Sequence, residues 1–161
     1  MDAPAELPAA KTVYRSRTPF EHQRIGAAAV YCSDGRFGEQ MDEFLHTSLA
    51  LPRYDRVAIP GGAACLAGHG NCFTERQGLD RQLNFLITAH DLRRVVLIAH
   101  QDCGFYRDLW LGGRSVVEQQ QIDLRKAAEK IRQSQPGVKI EAYFAAKTGG
   151  HVTFEHWDTD W

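Results

Sequence analysis

The sequence predicts an α/β fold: a central, mostly parallel sheet of four strands with helices on both faces and an antiparallel strand at the C-terminal edge. Three observations predict it. Short apolar runs without alternation, such as Ile25 to Tyr31 and Val95 to Ala99, have the pattern of strands buried on both faces. Stretches with apolar residues at three- and four-residue steps lie between them. Turn residues, among them Pro60-Gly61-Gly62, Pro136-Gly137 and Gly149-Gly150, punctuate the alternation.

In chain order, residues 1–24 hold three prolines and no sustained period, so they are expected to form an extended arm suited to packing on a partner subunit. Residues 25–161 then make a single domain. Its first strand is Ile25 to Tyr31, ending at Cys32. Gln40 to Leu51 reads as a helix with Met41, Phe44, Leu45 and Leu49 on one side and Pro52 beyond its end. Asp55 to Ile59 is the second strand. Leu79, Leu83, Leu86, Ile87 and His90 mark an amphipathic helix from about Glu75 to His90. Val95 to Ala99 is the third strand and runs into His100. Ser115 to Gln133 repeats the helical pattern through Val117, Leu124, Ala128 and Ile131. Val138 to Phe144 alternates as a fourth strand, and Val152 to Trp157 supplies the edge, with Trp157 and Trp161 as its cover.

Composition narrows the function. With 161 residues, 43% hydrophobic and 24% charged, the chain is an ordinary globular domain. Nineteen basic against 20 acidic residues leave a net charge of -1, which supplies no field for nucleic acid or an anionic membrane. No apolar run approaches the roughly 20 residues that span a bilayer. The start, Met1-Asp2-Ala3-Pro4, lacks an export signal, so the expected location is cytoplasmic. Cys32, Cys65, Cys72 and Cys103 are then expected to be reduced, buried or bound to metal rather than paired in disulfides.

Chemistry gathers at the carboxyl ends of strands in such sheets, and two segments lie there. One is Cys32-Ser33-Asp34-Gly35-Arg36; the other is His100-Gln101-Asp102-Cys103-Gly104. Cys32, His100 and Cys103 make a nitrogen-and-sulfur set that suits zinc, and three ligands leave the fourth tetrahedral position open for catalysis. A guanidinium fork from Arg36 would hold Asp34 ionised and aimed at a zinc-bound water. Asp102 is assigned no role.

Cys-x-Asp-x-Arg followed by His-x-x-Cys-Gly, each after a buried strand, resembles the β-class carbonic anhydrases, in order from about residue 25 to 160. The resemblance implies zinc on Cys32, His100 and Cys103, with Asp34 and Arg36 as a catalytic dyad. It implies reversible hydration of carbon dioxide to bicarbonate by zinc-bound hydroxide. It also implies a site near the interface of a homodimer or higher homo-oligomer; the near-zero charge already excludes nucleic acid and membrane as partners. Zinc lowers the pKa of a bound water from about 15.7 to about 7, a magnitude known from a carbonic anhydrase with three histidine ligands; thiolates should lower it less. The chain departs from the family where Ile59-Pro60-Gly61-Gly62-Ala63-Ala64 stands in place of an Arg-Asn-Ala-Gly-like segment that builds pocket wall and dimer contact. Gly35 and Ala99 replace a small polar residue and a glycine.

Two other functions fit the same ligands. One is hydrolysis of carbonyl sulfide or carbon disulfide; the other is a non-catalytic zinc scaffold in which Asp34 closes the fourth position. Cys65-x3-His69-x2-Cys72 could be a second metal cluster but reads more simply as a glycine-rich loop, since a fourth ligand is not evident. Pro60-Gly61-Gly62 lacks the G-x-G-x-x-G order of a phosphate loop. His90 reads as a satisfied boundary residue. His22, His46, His69, His90, His151 and His156 are unranked candidates for a proton shuttle.

Overall fold

The protein is described by a computed structural model over residues 11–69 and 72–159; the first part of the arm and Trp161 fall outside them. Residues 11–26 form neither helix nor strand and are almost entirely exposed. The elements that follow are β1 (Ala27–Cys32), α1 (Gly38–Glu43), β2 (Asp55–Ile59), α2 (Phe73–His90), β3 (Arg94–His100), α3 (Val116–Ser134), β4 (Lys139–Thr148) and β5 (His151–Trp157). The strand order is β2-β1-β3-β4-β5, parallel throughout except for the antiparallel β4–β5 pair. The expected fold class is the observed one.

Strands β1 and β3 carry small or branched residues because both faces are covered. On one face Ala28, Val30, Val95 and Leu97 pack under Leu79, Leu83 and Ile87 of α2 and Leu124, Ala128 and Ile131 of α3. On the other, Ala27, Ala29, Val96 and Ile98 meet Met41 and Leu45. The β4–β5 turn has Gly149 and Gly150 at φ 55° and 83°, the left-handed geometry of a two-residue hairpin. Ring stacking seals that edge: Phe44 on Phe154 at 4.1 Å and Phe144 on Trp157 at 4.5 Å. The cover expected of Trp157 is therefore internal to the chain.

Two elements differ in extent from expectation. The helix predicted over Gln40 to Leu51 is regular only to Glu43, continues as a wider π turn over Phe44–Ser48 and stops. Ala50 takes φ 52°, and the Leu51 N–H turns back to the Leu45 carbonyl at 2.9 Å. Pro52 disfavours helical backbone at Leu51, which forces the stop ahead of it. Conversely, the stretch after β2 is not plain loop: Gly62–Ala67 winds into a buried 3-10 helix. α3 starts where Ser115 caps it, its hydroxyl accepting from the Glu118 N–H while the Glu118 carboxylate accepts from the Ser115 N–H at 2.7 Å.

Leu97 lies wholly buried at the centre of β3 between both layers of the fold. Leu97→Ala should lower unfolding stability in urea by about 2–5 kcal/mol, the usual range for a truncated core leucine.

Candidate metal centre

Cys32 ends β1 and His100 ends β3. These strands are neighbours and parallel, with Tyr31 paired to Ile98, so both side chains emerge at the same carboxyl edge. Cys103 returns to that edge through a turn in which Asp102 adopts φ 56°. The turn closes with the Tyr106 N–H on the Cys103 carbonyl at 3.2 Å. All three residues are buried, and their ligand atoms lie within 4.8 Å of one another, which makes them the one metal-competent cluster among the described residues.

The donors are arranged for a cation. The Cys103 and Cys32 sulfurs are 3.8 Å apart. Two thiolates bound at about 2.3 Å around a tetrahedral ion are separated by about 3.8 Å, so the donor pair fits zinc as it stands. His100 is fully buried; its Nδ1 donates to the Gln101 carbonyl at 2.8 Å, while Nε2 has no hydrogen-bond partner. The backbone bond fixes the tautomer and leaves the Nε2 lone pair free for a metal. An unpaired buried nitrogen is costly, and a cation between the sulfurs would satisfy it. The Cys103 thiol, donating to Cys32, draws the Cys32 pKa well below the thiol range despite burial, aided by His100 and by the Gly61 N–H at 3.4 Å. The same bond to Cys32 pushes Cys103 up.

Asp34 and Arg36 form the dyad geometry. Arg36 Nε donates to Asp34 Oδ1 at 2.9 Å and Nη2 to Oδ2 at 2.5 Å, a bidentate fork, and the Arg36 N–H adds a bond at 3.1 Å. The Arg36 fork holds the Asp34 carboxyl down at about 2. Turned to Arg36, the carboxylate is not one of the clustered ligands. A cleft of about 560 Å³ opens beside Arg36 and Phe37 and runs between α1 and β5. Phe37 lies against the His100 ring at 4.4 Å.

The departure after β2 acquires a physical role. Gly61 and Gly62 have φ 76° and 55°, and a Cβ on Gly62 would come within 2.8 Å of the Tyr31 backbone. Only glycine lets this segment press on the end of β1 and bring the Gly61 N–H to Cys32. Ala64 joins Cys32, Cys103 and Tyr106 in one apolar cluster, so the replaced segment walls the centre with methyl groups.

Behind the centre stands a polar cluster on α3. Gln120 Nε2 donates to the His100 carbonyl at 2.8 Å. Asp123, 1% exposed, receives His69 Nε2 and Tyr106 OH at 2.7 Å each and Gln119 Nε2 at 2.9 Å. These supports were missed because Gln119-Gln120-Gln121 looks like a solvated run. The available signal was position: Gln120 and Asp123 fall on the stripe of Leu124, Ala127, Ala128 and Ile131. With His69 committed to Asp123, Cys65, His69 and Cys72 do not converge as a second metal cluster among the described residues. Asp102 pairs with Lys147 at 2.5 Å, and His90 with Asp55 at 2.6 Å.

Residues 22–154 match the family described as "Putative carbonic anhydrase". The chain belongs to that family. Among solved structures, this carbonic anhydrase family protein is similar to the β-carbonic anhydrase CafA of Aspergillus fumigatus. That likeness has TM-score 0.56 at 15% identity and covers 86% of this chain and 78% of that one. It also resembles a carbonic anhydrase of Glaciozyma antarctica, with TM-score 0.51, 17% identity and 81% of each chain covered. An uncharacterized protein of Rickettsia conorii is 20% identical over 132 residues, 74% of this chain and 67% of the relative. At these identities the likeness to solved structures carries the fold: this is a β-carbonic-anhydrase-like chain.

The Asp34 carboxyl owes its low pKa first to the Arg36 fork. In metal-free protein, Arg36→Ala should move the Asp34 midpoint from about 2 up to near 4, read by carboxyl NMR titration. A midpoint that stays near 2 would assign the shift elsewhere.

Proposed function

We propose that this chain catalyses the reversible hydration of carbon dioxide to bicarbonate with zinc held by Cys32, His100 and Cys103. The observation that carries the reading is the unpartnered, buried Nε2 of His100 beside two sulfurs 3.8 Å apart. When bound, zinc supplies a Lewis acid that makes a water acidic enough to act as a nucleophile near neutral pH.

The chain's own residues do the rest. Asp34, kept ionised by Arg36, accepts a hydrogen bond from the attacking water and so turns the oxygen lone pair toward the substrate carbon. Because Arg36 occupies both carboxylate oxygens, Asp34 does not swing onto the metal at neutral pH, which supports an open fourth position over the closed scaffold reading. Phe37 and Ala64 keep bulk water from the ligands and offer a small apolar linear molecule an apolar wall. A hydrolase for carbonyl sulfide would use the same groups, and sulfide release without carbon dioxide hydration would identify it. The reading includes a homo-oligomer, supported by the exposed rings of Phe73, Phe85 and Trp110. No helix among the described residues is long and apolar enough to cross a membrane.

Stopped-flow hydration in an indicator buffer should give a zinc-dependent rate in wild type. Cys32→Ser should lose stoichiometric zinc and that rate together, and Asp34→Asn should keep zinc yet lose about 10²-fold or more in kcat. Zinc content unchanged by Cys32→Ser, or no rate above background in zinc-loaded wild type, would overturn the reading.

A further inference from the structure

Two of the four cysteines take no part in the metal centre. Cys65, in the 3-10 helix, and Cys72, just before α2, are 2% and 3% exposed. They belong to one buried cluster, close enough for each thiol to shift the acidity of the other. Cys65 also donates to the Pro60 carbonyl at 3.9 Å and Cys72 to the His69 carbonyl at 3.3 Å. Both line a cavity of about 380 Å³ that is walled further by Pro60, Leu79 and Phe105 and reaches Glu75 on α2.

Metal binding does not account for this pair. His69 Nε2 is bound to Asp123, and Glu75 does not join the sulfurs in a cluster of ligand distance among the described residues. Two sulfurs without a third donor fall short of a zinc or iron site. The chemistry left to two neighbouring thiols on one cavity wall is a bond between them. Gly68, at φ 94° between the two cysteines, supplies a backbone joint through which the sulfurs can close that gap.

We propose that Cys65 and Cys72 are a redox-modification site, joined as an intramolecular disulfide by exchange with a small-molecule disulfide whose S–S bond reaches the thiols through this cavity. The exchange balances: both S–H bonds and the S–S bond of the oxidant break, one Cys65–Cys72 S–S bond forms, and the oxidant leaves as two thiols. The protein pair is oxidised by two electrons and the small disulfide is reduced by two. Burial pushes Cys65 up to about 12 and raises Cys72, so little thiolate is present at neutral pH and exchange is favoured in mildly alkaline buffer. The product would clamp the 3-10 helix to the start of α2. That helix follows Gly61, which donates to Cys32, and carries Ala64, which packs against it, so the modified segment adjoins the metal centre without using its ligands.

The chain's own cleavage sites make the test clean. A single tryptic peptide, Val57–Arg76, contains Cys65 and Cys72, while Cys32 and Cys103 fall in two others. Zinc-loaded protein is incubated with oxidised glutathione at mildly alkaline pH, quenched in acid, unfolded, alkylated and digested. The expected Val57–Arg76 peptide is two hydrogens lighter and takes no alkyl group until reduced, while the Cys32 and Cys103 peptides are fully alkylated. The proposal is overturned if Val57–Arg76 still takes two alkyl groups. It is equally overturned if that peptide carries glutathione without an internal bond, or is crosslinked to Cys32 or Cys103.

Discussion

The site rests on one constraint, the parallel pairing of β1 with β3. Their register puts Tyr31 opposite Ile98, so Cys32, one residue on, and His100, two residues on, end their strands at the same edge although they are far apart in sequence. A one-residue slip would turn each alternate side chain to the other face and separate sulfur from imidazole. What holds the register is burial on both sides: α2 and α3 cover one face, α1 and its π turn the other, and neither accepts the wrong set of side chains.

A second layer of control comes from groups that are not ligands. The Gln101 carbonyl selects the His100 tautomer, and Gln120 on α3 holds the His100 backbone. Asp123 ties the segment after β2 to the turn after Cys103, because one carboxylate oxygen receives both His69 and Tyr106. The Cys32–His100–Cys103 cluster thus sits in a buried polar frame in which His100 Nε2 and Gln120 Oε1 are left without a hydrogen-bond partner. Buried hydrogen bonds of this kind resist rearrangement in low dielectric and so hold the three donor residues in place.

The segment after β2 is where two roles meet. Its glycines permit close approach to β1, and its alanine walls the centre. Its two cysteines line one cavity and stand apart from the ligand cluster. With His69 engaged by Asp123, this stretch does not converge as a second metal cluster among the described residues.

The sequence by itself determined the fold class, the strand and helix order and the Ser115 start of α3, and it singled out Cys32, His100, Cys103, Asp34 and Arg36 as candidates. Each of these follows from local periodicity, capping or spacing, which the chain carries in contiguous residues. The tertiary structure alone decided the rest. It shortened α1 because Pro52 and the Ala50 turn compete with helix beyond Glu43. It coiled Gly62–Ala67 because packing on β1, not propensity, pays for that turn. It recruited Gln120 and Asp123 because a polar residue on an apolar stripe is justified only by partners from elsewhere in the chain. Distance between segments, burial and hydrogen-bond partners are properties of the folded surface, and no local pattern encodes them.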